Sequence, residues 1–273
     1  MTEYLKRSGQ NDLAYNYTKA SDQKGADIIF LPGFRSDMEG NKALHLEKFC
    51  RDNDLGCLRF DYSGHGLSEG AFEDGCITQW LEDTLDILDK CSQSQEVYLV
   101  GSSMGGWLAL LTALARPDKI AGIIGIAAAP DFTRDVLANA NPEQCADLED
   151  KAFFEEISPY SATPLRFTKK LLDDGENHCL LDKPIHISCP VILHQGMRDT
   201  DVPWQKAVCT VQLLESKNKV LRLVEGADHR FSNSMELDIL TSSVAQMTNL
   251  KNPHEGSVPL EASFVSCEIL LES

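Results

Sequence analysis

Three residues far apart in the chain, Ser103, Asp199 and His229, have the types and the order that acyl-bond cleavage by nucleophilic catalysis requires. A serine hydroxyl is a weak nucleophile at neutral pH. It needs a base to take its proton, and the base needs an acid to orient its ring and stabilise the imidazolium that forms. Ser103 is the middle of Gly101-Ser102-Ser103-Met104-Gly105, a G-x-S-x-G pentapeptide. The pattern alone is common by chance, so its surroundings decide. EVYLVG at 96–101 reads as a strand, and GSSMGGWLALLTALARP from 101 has helical character up to Pro117. The pentapeptide is then a sharp strand-to-helix turn that holds the serine above the sheet. An ordinary Gly/Ser-rich corner would account for the glycines but not for the change of hydrophobic period across them.

His229 stands in GADHR, after the strand expected at 219–224 and before the helix expected at 233–249. Asp199 lies just beyond the strand PVILHQ at 190–195, in the run Gly196-Met197-Arg198-Asp199. The chain order Ser, Asp, His is that of α/β-hydrolases. Asp201 and Asp228 are rival acids, although Asp228, next to His229 in sequence, is badly placed to orient that ring from behind. A developing oxyanion needs two N–H donors. One is the Met104 amide, at the positive end of the helix dipole. The other is the Phe34 amide, in the turn Pro32-Gly33-Phe34 that follows the strand ADIIFL at 26–31. Arg35 beside this turn is either a partner for a substrate carboxylate or an exposed arginine. Trp107 and Trp204 fit an acyl pocket or the core equally well.

These residues need a scaffold that brings distant segments to one edge. Strands at 12–18, 26–31, 56–61, 96–101, 120–127, 190–195 and 219–224 alternate with helices at 41–53, 77–91, 101–117, 204–215 and 233–249. Apolar strands separated by helices indicate a mostly parallel sheet covered on both faces, an α/β fold of the α/β-hydrolase kind. Roughly sixty residues separate the strands at 120–127 and 190–195, far more than a direct connection uses. Several parts look helical, among them RFTKKLLDDG at 166–175, and the insert, about 131–185, reads as a small helical cap before the penultimate strand. Residues 1–249 are expected to form one domain, with 250–273 a tail that is either disordered or docked.

With 25 Lys and Arg against 42 Asp and Glu, the net charge of −17 argues against nucleic acid and anionic membrane surfaces as partners. The longest near-apolar run, IAGIIGIAAAP at 120–130, is far short of a bilayer span. The first residues show neither a secretory signal nor the acid-free pattern of a mitochondrial presequence, which points to the cytoplasm, with mitochondria the alternative. Nine scattered cysteines without Cys-x-x-Cys suggest reduced, mostly buried thiols. A monomer is the expectation.

Three other patterns carry no function. Gly64-His65-Gly66-Leu67-Ser68-Glu69-Gly70 has its third glycine one place too late for a dinucleotide loop. His178, Cys179, His186 and Cys189 match no familiar metal-ligand spacing. No phosphate-binding G-x-x-x-x-G-K-[ST] is present. Neither a metal nor any other cofactor is expected.

FLPGF at 30–34, KALHLEKFC at 42–50, RFDYSGHGLSEG at 59–70, VGSSMGGWLAL at 100–110, ARPDKIAGIIGIA at 115–127, ENHCLL at 176–181, HQGMRDTDVPW at 194–204 and DHR at 228–230 together resemble the α/β-hydrolase domain-containing protein 10 family. The resemblance covers roughly residues 10–249. It implies a serine hydrolase acting as a palmitoyl-protein thioesterase and acyl-glucuronide esterase, mitochondrial in animals. Its nucleophile falls on Ser103, its acid on Asp199 and its base on His229. Substrates would be small-molecule esters or acylated-protein thioesters. The missing presequence, the added tail and the run Phe34-Arg35-Ser36-Asp37-Met38 depart from the animal pattern, and that run looks more like microbial relatives. A peptidase or lipase would share the triad, and a non-catalytic ligand-binding protein would share the scaffold.

Overall fold

The computed structural model describes residues 1–21, 26–157 and 164–250. In chain order the body opens with β1 (Glu3–Leu5), β2 (Leu13–Thr18), β3 (Asp27–Leu31), α1 (Asn41–Asp52), β4 (Gly56–Phe60), α2 (Ile77–Lys90), β5 (Val97–Ser102), α3 (Met104–Ala115) and β6 (Ile120–Ile126). The insert follows as α4 (Phe132–Asn139), α5 (Pro142–Lys151), β7 (Phe153–Glu156), β8 (Leu165–Thr168) and α6 (Lys169–Glu176). The body resumes with β9 (Val191–Gly196), α7 (Trp204–Leu213), β10 (Lys219–Val224) and α8 (Ser234–Met247).

Eight strands make one sheet in the order β1-β2-β4-β3-β5-β6-β9-β10. β1 and β2 form an antiparallel edge, and the strands from β4 to β10 run parallel. Every residue of β3, β5 and β9 is buried, as strands covered on both faces must be. One face packs α2, α3 and α7 around Trp80, Trp107 and Leu214, and the other packs α1 and α8 around Leu46, Leu240 and Val244. α3 is apolar around its whole circumference because it lies between the sheet and α2. The register sets Ser102 opposite Ile126, Ile126 opposite His194, and Gly196 opposite Val224, so the carboxyl ends of β5, β6, β9 and β10 share one edge. That edge is where open α/β sheets place their ligands.

Among its described residues the insert holds three helices, as expected of a helical cap, and also a two-stranded sheet that the sequence reading did not include. Residues 166–168 belong to β8, which pairs antiparallel with β7 and buries Phe154 and Phe167. The helix begins only at Lys169, because the Thr168 hydroxyl accepts the Leu171 N–H at 3.1 Å and caps it. α5 carries a signal legible in the sequence: Asn141 and Gln144 exchange hydrogen bonds of 2.9 Å in a capping box, with Pro142 in the first turn. β1 was not anticipated, two of its three residues being exposed and without alternation. Residues 251–273 of the expected tail, including Cys267, lie outside the described residues. The eight described cysteines are free thiols, but only Cys50, Cys57, Cys76 and Cys91 are buried, and Cys145 is exposed. No described helix is long and apolar enough to cross a membrane.

Candidate active site

β5 ends at Ser102, α3 begins at Met104, and Ser103 between them has φ 54° and ψ −119°. An L-residue held there stores strain of about 1–3 kcal/mol, which persists only where the surroundings impose it. They do so here. The Ser103 N–H donates to the Ile126 carbonyl at 2.9 Å, and its carbonyl accepts from Gly106 at 2.9 Å and Ala129 at 3.1 Å. The pentapeptide glycines are required by close approach. A Cβ on Gly101 would come within 2.2 Å of the Gly105 carbonyl oxygen, and one on Gly105 within 2.1 Å of that of Leu31.

Asp199 follows β9 and His229 follows β10, and the two loops are joined by Arg198 N–H donating to the Ala227 carbonyl at 2.9 Å. The structure brings the acid and the imidazole together, with His229 Nδ1 2.9 Å from Asp199 Oδ2. The other carboxylate oxygen accepts the Asp201 and Val202 N–H groups at 2.9 and 2.8 Å, and Gln195 Nε2 donates to Oδ2 at 2.9 Å. Burial pushes the Asp199 carboxyl up, but the His229 ring and these donors outweigh it, so the group lies below its ordinary value. Its side chain is 0% exposed and that of His229 18%, so the acid is sealed while the ring stays within a substrate's reach. Asp228 instead closes its own turn, accepting Arg230 N–H at 2.9 Å, and Asp201 is exposed. His194 lies beneath, bonded to Ser243 at 3.0 Å and stacked on Phe231; burial pushes it down to about 3.

Phe34 sits in a turn closed by Ser36 N–H donating to the Gly33 carbonyl at 3.0 Å. A Cβ on Gly33 would lie 3.3 Å from Ser103 Cβ, so the turn packs directly on the elbow. The Phe34 ring is the hub of an aromatic cluster. Phe72, Phe167 and Phe132 lie at 4.9, 5.4 and 5.6 Å, two of them contributed by the insert. Arg35 has φ 55°; its guanidinium lies over Phe72 at 5.1 Å and donates to the Pro164 carbonyl at 2.9 Å. Trp107 is buried, donates to the His178 carbonyl at 3.2 Å and packs on Phe132, so it belongs to the core. A cavity of mixed lining beside the turn is bordered by Phe30 and Pro32 as well as Ser36, Asp37, Lys42 and Arg230, and burial pushes Lys42 down to about 8. The four candidate metal ligands do not converge: His178 meets Thr78 at 2.6 Å, and His186 meets Glu215 at 2.7 Å.

Sequence reasoning missed Gln195, His65 and Asp131. Asp131 accepts the Leu180 and Leu181 N–H groups at 2.8 and 2.9 Å and ties the end of β6 to the far end of the insert. His65 and Gln195 lie in runs that resemble the family, and Asp131 lies in none.

The serine aminopeptidase S33 family matches residues 23–159. Human palmitoyl-protein thioesterase ABHD10, a mitochondrial protein by name, is 35% identical over 242 residues, covering 88% of this chain and 78% of its own. A crystal structure of a putative hydrolase from Agrobacterium vitis S4 is 38% identical with a TM-score of 0.87, over 91% of this chain and 98% of that one. Mouse α/β-hydrolase domain-containing protein 10 is 34% identical in structure comparison, with a TM-score of 0.84 and the same two coverages of 91% and 98%.

Proposed function

Since the chain belongs to the α/β-hydrolase domain-containing protein 10 family and is an α/β-hydrolase enzyme, we propose that it cleaves carboxylic esters or acyl thioesters through an acyl-enzyme on Ser103. One observation supports this most directly: the sealed Asp199 carboxylate holds the His229 ring by Nδ1 at 2.9 Å, at the same sheet edge as the strained Ser103. With Nδ1 carrying the proton toward Asp199, Nε2 is the basic nitrogen. His229 Nε2 takes the Ser103 hydroxyl proton as Oγ bonds to the carbonyl carbon, and the carbonyl π electrons move to oxygen. The Phe34 and Met104 amides hold that oxyanion. As it collapses, the C–O or C–S bond breaks, and the leaving group departs with the proton from His229. Water repeats the sequence on the acyl-serine and frees the acid. No step needs a metal or cofactor.

The half-buried Phe34 and Phe132 rings beside the elbow are the proposed seat of the acyl group, and the cavity with Lys42 and Arg230 that of the alcohol or thiol portion. The human relative's name supports S-acyl protein substrates, and it also supports mitochondrial residence over the cytoplasmic expectation. A panel of p-nitrophenyl esters of rising chain length, run beside acyl-CoA, S-acyl peptides and an aminoacyl anilide, separates esterase, thioesterase and peptidase. Hydrolysis of esters or thioesters is expected, inhibited in step with fluorophosphonate labelling of the Ser103 peptide. A wild type that neither turns over nor labels would leave only a ligand-binding role.

Arg35 is the proposed partner of a substrate carboxylate, its guanidinium steadied by Phe72 and Pro164. A charge-assisted hydrogen bond of this kind is worth about 1.5–3 kcal/mol, so Arg35→Ala should lower kcat/KM on a hemisuccinate ester about 10-fold more than on its neutral counterpart. Equal losses on both would assign the arginine to the turn alone.

A further inference from the structure

We propose that His65 is a positioning residue for the oxyanion turn, its Nε2 accepting the Arg35 N–H and thereby fixing the Phe34 amide. The inference rests on the acyl-transfer reading above and assigns a role to the Gly64-His65-Gly66 motif. Arg35 N lies 3.3 Å from His65 Nε2, while Nδ1 is 3.3 Å from the Ser63 carbonyl oxygen. A carbonyl only accepts, so Nδ1 carries the ring proton and Nε2 is left as a bare acceptor. The ring is 4% exposed, packed edge-on against Tyr62, Phe72 and Trp80 at 5.0–5.5 Å, and burial pushes it down to about 4, so it is neutral wherever the triad works.

The turn needs such an anchor. Arg35 has φ 55°, a left-handed conformation that costs an L-residue roughly 1–2 kcal/mol, and rotating the Phe34–Arg35 peptide would relieve it. That rotation would withdraw the Arg35 N–H from His65. The same loop grips the turn on both flanks. Tyr62 Oη donates to the Pro32 carbonyl at 3.2 Å, and Asp61 accepts the Met38 N–H at 2.7 Å. Asp61 also accepts the Leu67 N–H at 2.8 Å, while Asp83 accepts the Ser63 N–H at 2.7 Å and Trp80 Nε1 donates to the Ser63 carbonyl at 3.1 Å, so the loop is itself rigid. The Phe34 amide is therefore set between contacts at Pro32, Gly33, Arg35 and Met38.

His65→Phe keeps a ring of similar size and deletes only the acceptor. Glutamine can place its side-chain oxygen near the Nε2 position. On a p-nitrophenyl ester turned over by the wild type, His65→Phe is expected to lower kcat about 10- to 100-fold with KM within about twofold, somewhat less than outright loss of an oxyanion donor. His65→Gln should recover most of that kcat, with both melting temperatures recorded. Nitrogen NMR of the folded wild type should show Nδ1 protonated and Nε2 bare at neutral pH. The proposal is overturned by a folded His65→Phe with wild-type kcat, by a change confined to KM, by His65→Gln as slow as His65→Phe, or by a protonated Nε2. A wild type without hydrolysis would remove the acyl-transfer reading instead, and the NMR result would still judge the hydrogen bond.

Discussion

Replacing Ser103 with alanine is expected to cut ester hydrolysis by about 10⁶-fold and to abolish fluorophosphonate labelling, because the bond-forming oxygen is gone. The companion variant Ser103→Gly should be equally inactive yet more stable. Ser103 has φ 54°, where alanine keeps the strain and glycine releases it. The difference should be about 1–2 kcal/mol, read as a melting temperature roughly 2–8 °C higher for the glycine variant. The two variants differ only by the Cβ methyl group that packs beside Gly33, a small contact whose loss works against glycine, so a higher melting temperature for glycine reports the backbone. A glycine variant melting below the alanine variant would mean that the elbow is not strained, and that the serine's exposure owes nothing to imposed geometry.

The elements that the sequence discloses are those whose signals are local. An apolar run such as DIIFL, buried along its whole length, announces a central strand, and G-x-S-x-G between a strand and a helix announces the elbow. Asp199 and His229 were found by their places after the last two strands, which a parallel sheet then turns into neighbours. Signals that depend on the fold stayed hidden. His65 was visible within a failed dinucleotide motif and within a run that resembles the family, neither of which gave it a role, since its partner Arg35 lies 30 positions away. Residues 166–168 read as helix because Thr168 suits either state, and the β7 partner that claims them cannot be seen from within the segment. Arg35 reads as either a carboxylate partner or an exposed arginine; it is exposed, and what the sequence could not show is that the Phe72 ring and the Pro164 carbonyl, from other parts of the chain, steady its guanidinium.

Asp199→Asn separates the acid's charge from its shape. Oδ1 accepts two backbone N–H groups, from Asp201 and Val202, at 2.9 and 2.8 Å, so only an oxygen is tolerated at that position. The amide nitrogen of an asparagine must therefore occupy the Oδ2 position, facing His229 and Gln195. Gln195 can adapt only in part: an amide flip would let its buried Oε1, which has no hydrogen-bond partner, accept from the new NH₂ group, at the cost of the hydrogen bond that its Nε2 now donates to the Val202 carbonyl at 2.9 Å. The His229 ring adapts at a cost to chemistry: its Nδ1 must become the acceptor, which moves the ring proton to Nε2 and leaves nothing to take the proton of Ser103. The expected result is a folded protein with kcat reduced about 10⁴-fold, the scale of a triad locked in the wrong tautomer. Fluorophosphonate labelling should slow with it, because phosphonylation also needs the serine deprotonated. Should Asp199→Asn retain more than about a tenth of wild-type kcat, Asp199 would be a structural anchor of its loop rather than the acid that sets the tautomer of His229.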